Sequence, residues 1–236
     1  MNVTRTPTFT ILGARNLGGA IADHLTADGW VGAAIAQTEE TIEAVRGRGI
    51  VGIRADAADP EQLAEALARA ASELGRIDVL INAVSVARFD PHVPWGGGPL
   101  VEGSLDRWRT WSAAVAEQAF VFFSESARFL TTQGGPAKIV QIGNSAMREA
   151  TTGNGLWAAG WHSVRALASA ARQELAASDI QVALVAILGP IRSPKTEAMV
   201  AKLPPAIVND QDDVAAKVAA FTARDQLEAE LEVRPN

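Results

Sequence analysis

Short, wholly apolar runs recur along this chain, separated by stretches in which apolar positions return every three or four residues. The runs are TFTILGA (8–14), WVGAAIA (30–36), IVGI (50–53), DVLINA (78–83), KIVQIG (138–143) and QVALVAI (181–187). They are apolar throughout rather than alternating, the pattern of strands covered by helices on both faces. The intervening helices carry start signals. Glu39 and Glu40 suit a first turn, where carboxylates meet the positive dipole end. Asp59 can cap, Pro60 fits the first helical position, and Gln62 can reach back. A long helix is predicted from about Leu105 to Leu130, and another within 154–175 with a stripe at Val164, Leu167, Ala171 and Leu175. Strand–helix alternation with right-handed crossovers predicts a doubly wound parallel sheet. Ligands then belong beyond the carboxyl ends of its strands.

Composition narrows this picture by exclusion. The chain has 236 residues, 48% of them apolar, enough for one α/β domain over 1–236. It has no cysteine, so disulfides, Cys-based metal sites and a thiol nucleophile are ruled out, and three scattered histidines make no metal site. A formal charge of −6 argues against nucleic acid and anionic membranes as partners. The longest apolar stretch, VALVAIL (182–188), is too short to span a bilayer, and the N-terminus lacks the order of a signal peptide. A cytoplasmic protein is expected.

Gly13, Gly18 and Gly19 sit between the first run and the first helix. Such glycines let the backbone approach a pyrophosphate whose charge the helix N-terminus favours, or simply make a tight turn. The carboxylate that would hold an NAD ribose is missing at the end of the second run, where Ala36, Gln37 and Thr38 stand. Arg15 could meet a 2′-phosphate instead, which favours NADP over NAD, although it equally suits a solvated loop. Weak or absent dinucleotide binding stays open.

With these landmarks in order, the chain resembles the short-chain dehydrogenase/reductase family over almost its whole length. GARNLGGAIA (13–22) resembles the family's glycine loop, either one residue short or with Leu17 replacing the middle glycine. ADAAD (55–59) is similar to the segment whose aspartate, here Asp56, contacts adenine. DVLINAVS (78–85) resembles the fourth-strand motif and keeps Asn82, while Val84 and Ser85 depart from its ending. KIVQIGN (138–144) resembles the fifth strand, and LGPIRS (188–193) the loop around nicotinamide, with Gly189 kept and Ser193 standing for threonine. The ending LEAELEVRPN lacks the family's usual glycine-rich tail. The resemblance implies a Rossmann-like three-layer sandwich with a seven-stranded, mostly parallel sheet. It also implies a dinucleotide site, which Arg15 and the missing carboxylate would turn toward NADP, with Gly13, Arg15, Gly18, Gly19, Gln37, Asp56, Asn82, Gly189 and Ser193 around it.

The same resemblance implies an Asn–Ser–Tyr–Lys machinery that this chain lacks. Position by position, Trp157 falls at the tyrosine, Trp161 at the lysine, Asn144 at the serine and about Val115 at the asparagine; the chain has no tyrosine at all. Carbonyl reduction needs a proton donor whose pKa lies near the working range. An indole N–H donates hydrogen bonds but has no accessible deprotonated state. Trp161 also removes the positive charge that would lower a neighbour's pKa. Four residues apart, the two rings share one helix face, either lining a pocket as an apolar wall or filling the core.

Replacement donors are few. His92, two residues after Asp90 in the loop beyond the fourth strand, carries an imidazole, a group that can serve as acid or base near neutral pH. His162 is rotated about 100° from Trp161 and reads as an interface or packing residue. Asn144, Ser145 and Arg148 could donate hydrogen bonds to a ligand oxygen or satisfy their own loop. Trp95, followed by Gly96–Gly98, suggests an aromatic anchor on a mobile lid, or a flexible surface loop. FVFF (120–123) is apolar on more than one face, as a homodimer or homotetramer requires. Three functions follow. The first is binding an apolar small molecule in an aromatic cleft lined by Trp95, Asn144, Ser145, Arg148, Trp157 and Trp161, with non-redox chemistry such as cyclisation, isomerisation or dehydration. The others are an NADPH-dependent carbonyl reductase using His92 or water, and a silent partner or sensor subunit.

Overall fold

A computed structural model describes residues 5–85, 93–194 and 196–235. His92 and Asp90 lie outside the described residues. The chain runs β1 (Thr8–Leu12), α1 (Leu17–Ala27), β2 (Val31–Ala36), α2 (Glu39–Arg46), β3 (Val51–Arg54), α3 (Pro60–Leu74) and β4 (Val79–Asn82). It continues through α4 (Leu105–Trp108), α5 (Ala114–Gln133), β5 (Ala137–Asn144), α6 (Gly155–Glu174) and β6 (Ile180–Ile187). The last elements are β7 (Ile191–Arg192), α7 (Glu197–Val200), β8 (Asn209–Asp210), α8 (Gln211–Thr222) and β9 (Glu230–Val233).

Seven strands form one sheet in the order β3-β2-β1-β4-β5-β6-β9, every pair parallel. The order reverses between β1 and β4, which opens the crevice of a Rossmann-like fold at their carboxyl ends. Helices α3, α5 and α6 cover one face through Leu63, Phe122 and Val164; α1, α2 and α8 cover the other through Ile21, Val45 and Phe221. Central strands buried on both faces explain the unbroken apolar runs. β7 and β8 pair separately beyond the sheet.

Local signals act as expected at α3. The Asp59 carboxylate caps it by accepting from the Glu61 and Gln62 N–H groups, and Pro60 occupies the first turn. Gln62 does reach back, but to the Asp59 side chain and the Asp56 N–H. The predicted helix over Leu105–Leu130 is interrupted by a π-helical turn at Arg109–Ala113, which places Trp111 and Ser112 in the interior. Of the FVFF residues, Phe122 is fully buried while Phe120 is 57% exposed. The C-terminal LEAELEVRPN region supplies the seventh strand rather than a glycine-rich tail.

Candidate functional site

The crevice begins at the β1–α1 turn. Gly13 has φ +84°, and a Cβ there would lie 2.9 Å from the Ala83 carbonyl oxygen, so both backbone and space call for glycine. Gly18 and Gly19 are buried in the first turn of α1, where a Cβ on Gly18 would sit 2.2 Å from the Gly13 carbonyl oxygen. The turn is therefore pulled tight against β4. Asn16 provides no side-chain cap to α1, and no acid lies in its first turn, so the positive helix end stays open to an anion. Arg15 is exposed and forms no ion pair among the described residues. Gln37 is exposed too, and its carbonyl accepts from the Arg54 Nε at 3.2 Å. That contact brings Arg54, a cation the sequence reading passed over, to the end of β2. Asp56 uses one carboxylate oxygen to accept from the Ala58 N–H at 2.9 Å.

Toward the middle of the sheet, three amides form a buried knot. The Asn82 Nδ2 donates to Gln118 Oε1 at 2.9 Å and to Gln141 Oε1 at 2.8 Å, and its Oδ1 accepts from the Val84 N–H at 3.2 Å. The knot ties the end of β4 and the middle of β5 to α5, with its polar groups paired as burial demands. Gly189 has φ +99°, and the neighbouring Asn209 Nδ2 donates to the Leu188 carbonyl at 3.0 Å. Ser193 is held by Thr196, with hydroxyl oxygens 2.9 Å apart.

Beyond β5 the character changes from polar to aromatic. Trp157 and Trp161 are 6% and 7% exposed, with ring centroids 5.5 Å apart and planes at 73°. Trp111 packs edge-on against Trp157 at 5.7 Å, and Trp95 meets both Trp111 at 5.4 Å and Trp157 at 5.8 Å. Such offset and edge contacts suit the ring quadrupoles. Trp95 is 47% exposed and forms the outer member of the cluster. Its loop lies on the start of α6: a Cβ at Gly96 would strike the Asn154 side chain at 2.2 Å. The Ser112 hydroxyl donates to the Leu156 carbonyl, fastening the π-helical turn to α6. Trp161 also abuts the end of β5, where a Cβ on Gly143 would lie 2.9 Å from its Cζ3.

The remaining predicted residues do not converge on this cluster. Asn144 is spent on its own loop, its Oδ1 accepting from the Ala146 N–H at 2.9 Å, and Ser145 is exposed. Arg148 binds Glu230 at 2.7 Å and also pairs with Glu232, both on β9. Burial works against its charge, but these bonds outweigh it and hold its pKa above the ordinary value. His162 is exposed, with Nδ1 2.8 Å from the Ala158 carbonyl. Met147, Arg148, His162 and Arg165 line a groove of about 360 Å³, and a second of about 210 Å³ lies over Glu125 and Phe129; no indole lines either.

The short chain dehydrogenase family matches residues 8–203 of this sequence. The chain belongs to that family. Its glycine turn, its sheet order and the crevice between β1 and β4 are thus family features. Among solved structures it is similar to ElxO with NADP bound, with TM-score 0.83, 16% identity and 97% of each chain covered. It is also similar to an acetoin dehydrogenase from Enterobacter cloacae, with TM-score 0.78, 21% identity, and 98% of this chain and 94% of that one covered. A putative oxidoreductase from Escherichia coli str. K-12 aligns with TM-score 0.76 at 20% identity, covering 98% and 95%. At these identities the likeness is one of fold. No curated protein matches the sequence.

Within the short chain dehydrogenase frame, the sequence reading did not find the Asn82–Gln118–Gln141 knot or the arrival of Trp111 and Trp95 beside Trp157. Helical spacing identifies Trp157 and Trp161 as neighbours, but nothing in it signals contacts across 46 and 62 residues of chain. A hint was present in the glutamine at 118, between the apolar positions Val115 and Phe122 at helical spacing.

Proposed function

We propose that this protein is a short chain dehydrogenase whose redox relay has been replaced by an aromatic wall, and that it binds an apolar small molecule at that wall. The observation that carries the reading is the four-indole cluster, built on Trp157 and Trp161, in a chain with no tyrosine. On the family alignment those two positions are the phenol and the ammonium of the proton relay. Two buried indoles can neither release a proton nor stabilise a phenolate. They offer aromatic surface edged by the half-exposed Trp95, suited to a flat or hydrocarbon ligand. Any turnover at this corner leaves the oxidation level of the ligand unchanged.

NADP(H) fits one half of the crevice. The tight Gly13–Gly19 turn, the uncapped α1, the unpaired Arg15, the nearby Arg54 and the free oxygen of Asp56 suit its adenosine and phosphates. When bound, this cofactor supplies hydride chemistry. The nicotinamide end has Trp161 where the family places a lysine. We read NADP(H) as a ligand held mainly by its adenine half, and copies of the chain as associating through the face bearing Phe120.

A second reading retains carbonyl reduction with His92 as proton donor. It is favoured by the retained glycine turn, and a His92→Ala variant with full activity would remove that donor.

Thermal-shift measurements with NADPH, NADH and a panel of apolar aromatic compounds test the proposal, because a ligand selective for the folded state raises its stability. The expected result is stabilisation by aromatic compounds that is lost in Trp95→Ala. Stabilisation by small polar carbonyl substrates only, and only together with NADPH, would contradict it.

A further inference from the structure

The aromatic corner contains a polar group with nothing to bind. The Trp161 Nε1–H is buried and has no hydrogen-bond partner among the described residues. Its neighbours are the Trp157 ring at 5.5 Å, the end of β5 at Gly143, and Met147 beside them. None supplies a strong acceptor. Buried indole N–H groups ordinarily find a partner. A core that needed only apolar volume at this position would be served by phenylalanine or leucine without an orphaned donor.

The neighbouring polar groups do not resolve the shortage. Asn144 has turned its acceptor to its own loop, and the Asn82, Gln118 and Gln141 amides bond one another, with the Gln141 Nε2 donating to the Ile142 carbonyl. Ser112 donates to the Leu156 carbonyl and so adds no demand of its own. The corner therefore combines four linked indoles with one unspent buried donor. Trp95, outermost and half exposed on a loop of three consecutive positive-φ glycines, is the ring whose displacement costs least.

We infer that the Trp161 Nε1–H is the polar handle of the aromatic corner, donating to one oxygen acceptor on an otherwise apolar ligand. The ligand class is an aryl or alicyclic ketone, ester or lactone, seated against Trp157, with Trp95 swinging outward to admit it and closing back over it. This rests on the aromatic-corner reading and deepens it: the corner selects for a single carbonyl oxygen, not for hydrophobicity alone. The step is binding only; no bond is made or broken.

The test uses a matched probe pair, 2-acetylnaphthalene and 2-isopropenylnaphthalene, which have the same number of heavy atoms about the same sp2 carbon and differ in a carbonyl oxygen replaced by a methylene. Indole N–H resonances are followed in nitrogen–proton correlation spectra, where the six tryptophans give six signals. Trp161 is assigned from the signal missing in Trp161→Phe or, should that variant fail to fold, from through-space contacts to Met147. The expectation is that the ketone binds about tenfold more tightly than the hydrocarbon, in line with one desolvated neutral hydrogen bond. The Trp161 N–H signal should move downfield with the ketone only, and Trp161→Phe should bind both probes equally. Equal binding by the native chain with no movement of that signal would overturn the role of Trp161 while leaving the aromatic corner standing. A Trp161 N–H already bonded to a buried water and unmoved by ketone would also overturn it. Binding of neither probe would overturn it together with the reading on which it rests.

Discussion

The two ends of the crevice are built on different principles. At the β1–α1 end, recognition belongs to the backbone: Gly13 at positive φ, an uncapped helix start, and glycines packed too tightly for any side chain. At the β5–α6 end the surface belongs to side chains, and those side chains are indoles. A glycine turn holds its shape only while the glycines persist, since a Cβ would collide with Ala83 or with the turn itself. The β5–α6 end has no such constraint, because side chains on the buried stripe of a helix can be exchanged while the helix keeps its packing. On the function proposed above, the glycine end keeps its shape while the other end of the crevice turns aromatic.

The largest expected effect falls on the aromatic end. Trp111 is 2% exposed and touches both Trp95 and Trp157, so Trp111→Ala should lower stability by about 4 kcal/mol, read by denaturant unfolding. A loss below about 1 kcal/mol would mean that the cluster is not part of the core. Next comes Gly13→Ala, which strains a positive-φ residue and pushes a methyl onto the Ala83 carbonyl; about 2 kcal/mol is expected. The same variant should lose NADPH binding by calorimetry while apolar probes still bind, and loss of both would erase the division between the two ends. Trp95→Ala should cost only about 1 kcal/mol, because its ring is half in water, yet should weaken aromatic probes most.

The smallest effect concerns acid. The Asp59 carboxyl is held below its ordinary value by bonds from Gln62, first its backbone N–H and then its side chain. A lowered folded-state pKa means stability present above the unfolded value of about 4 and lost as pH falls through the folded one. The start of α3 should therefore fray earlier in acid than the glycine turn, visible as amide exchange at Gln62 and Leu63; uniform loss across the sheet would contradict this.

Much of this organisation was legible in the sequence. The unbroken apolar runs announced buried parallel strands, and the Asp59-Pro60 signal marked the start of α3 within a residue. The glycine turn was equally plain, because its geometry depends on residues adjacent in the chain. The site beyond β5 was only half legible. Trp157 and Trp161 are neighbours by helical period, but Trp95 and Trp111 reach them through a loop and a π-helical turn whose course local pattern does not encode. Arg148 looked like a ligand donor because its partners, Glu230 and Glu232, lie more than 80 residues away on the edge strand. Charge pairing across a sheet has no sequence signature. The Asn82–Gln118–Gln141 knot escaped notice for the same reason: each amide alone is an ordinary polar residue, and only the fold brings their donors and acceptors together.

The division between the two ends is tested most directly by following NADPH absorbance and indole-to-nicotinamide energy transfer together, across a panel of ketones and aldehydes. The account predicts that energy transfer reports bound NADPH while its absorbance falls no faster than in a protein-free control at any pH between about 6 and 9, a range that spans the titration of an ordinary imidazole donor. Steady NADPH consumption proportional to protein concentration, with one carbonyl compound converted to its alcohol, would contradict it.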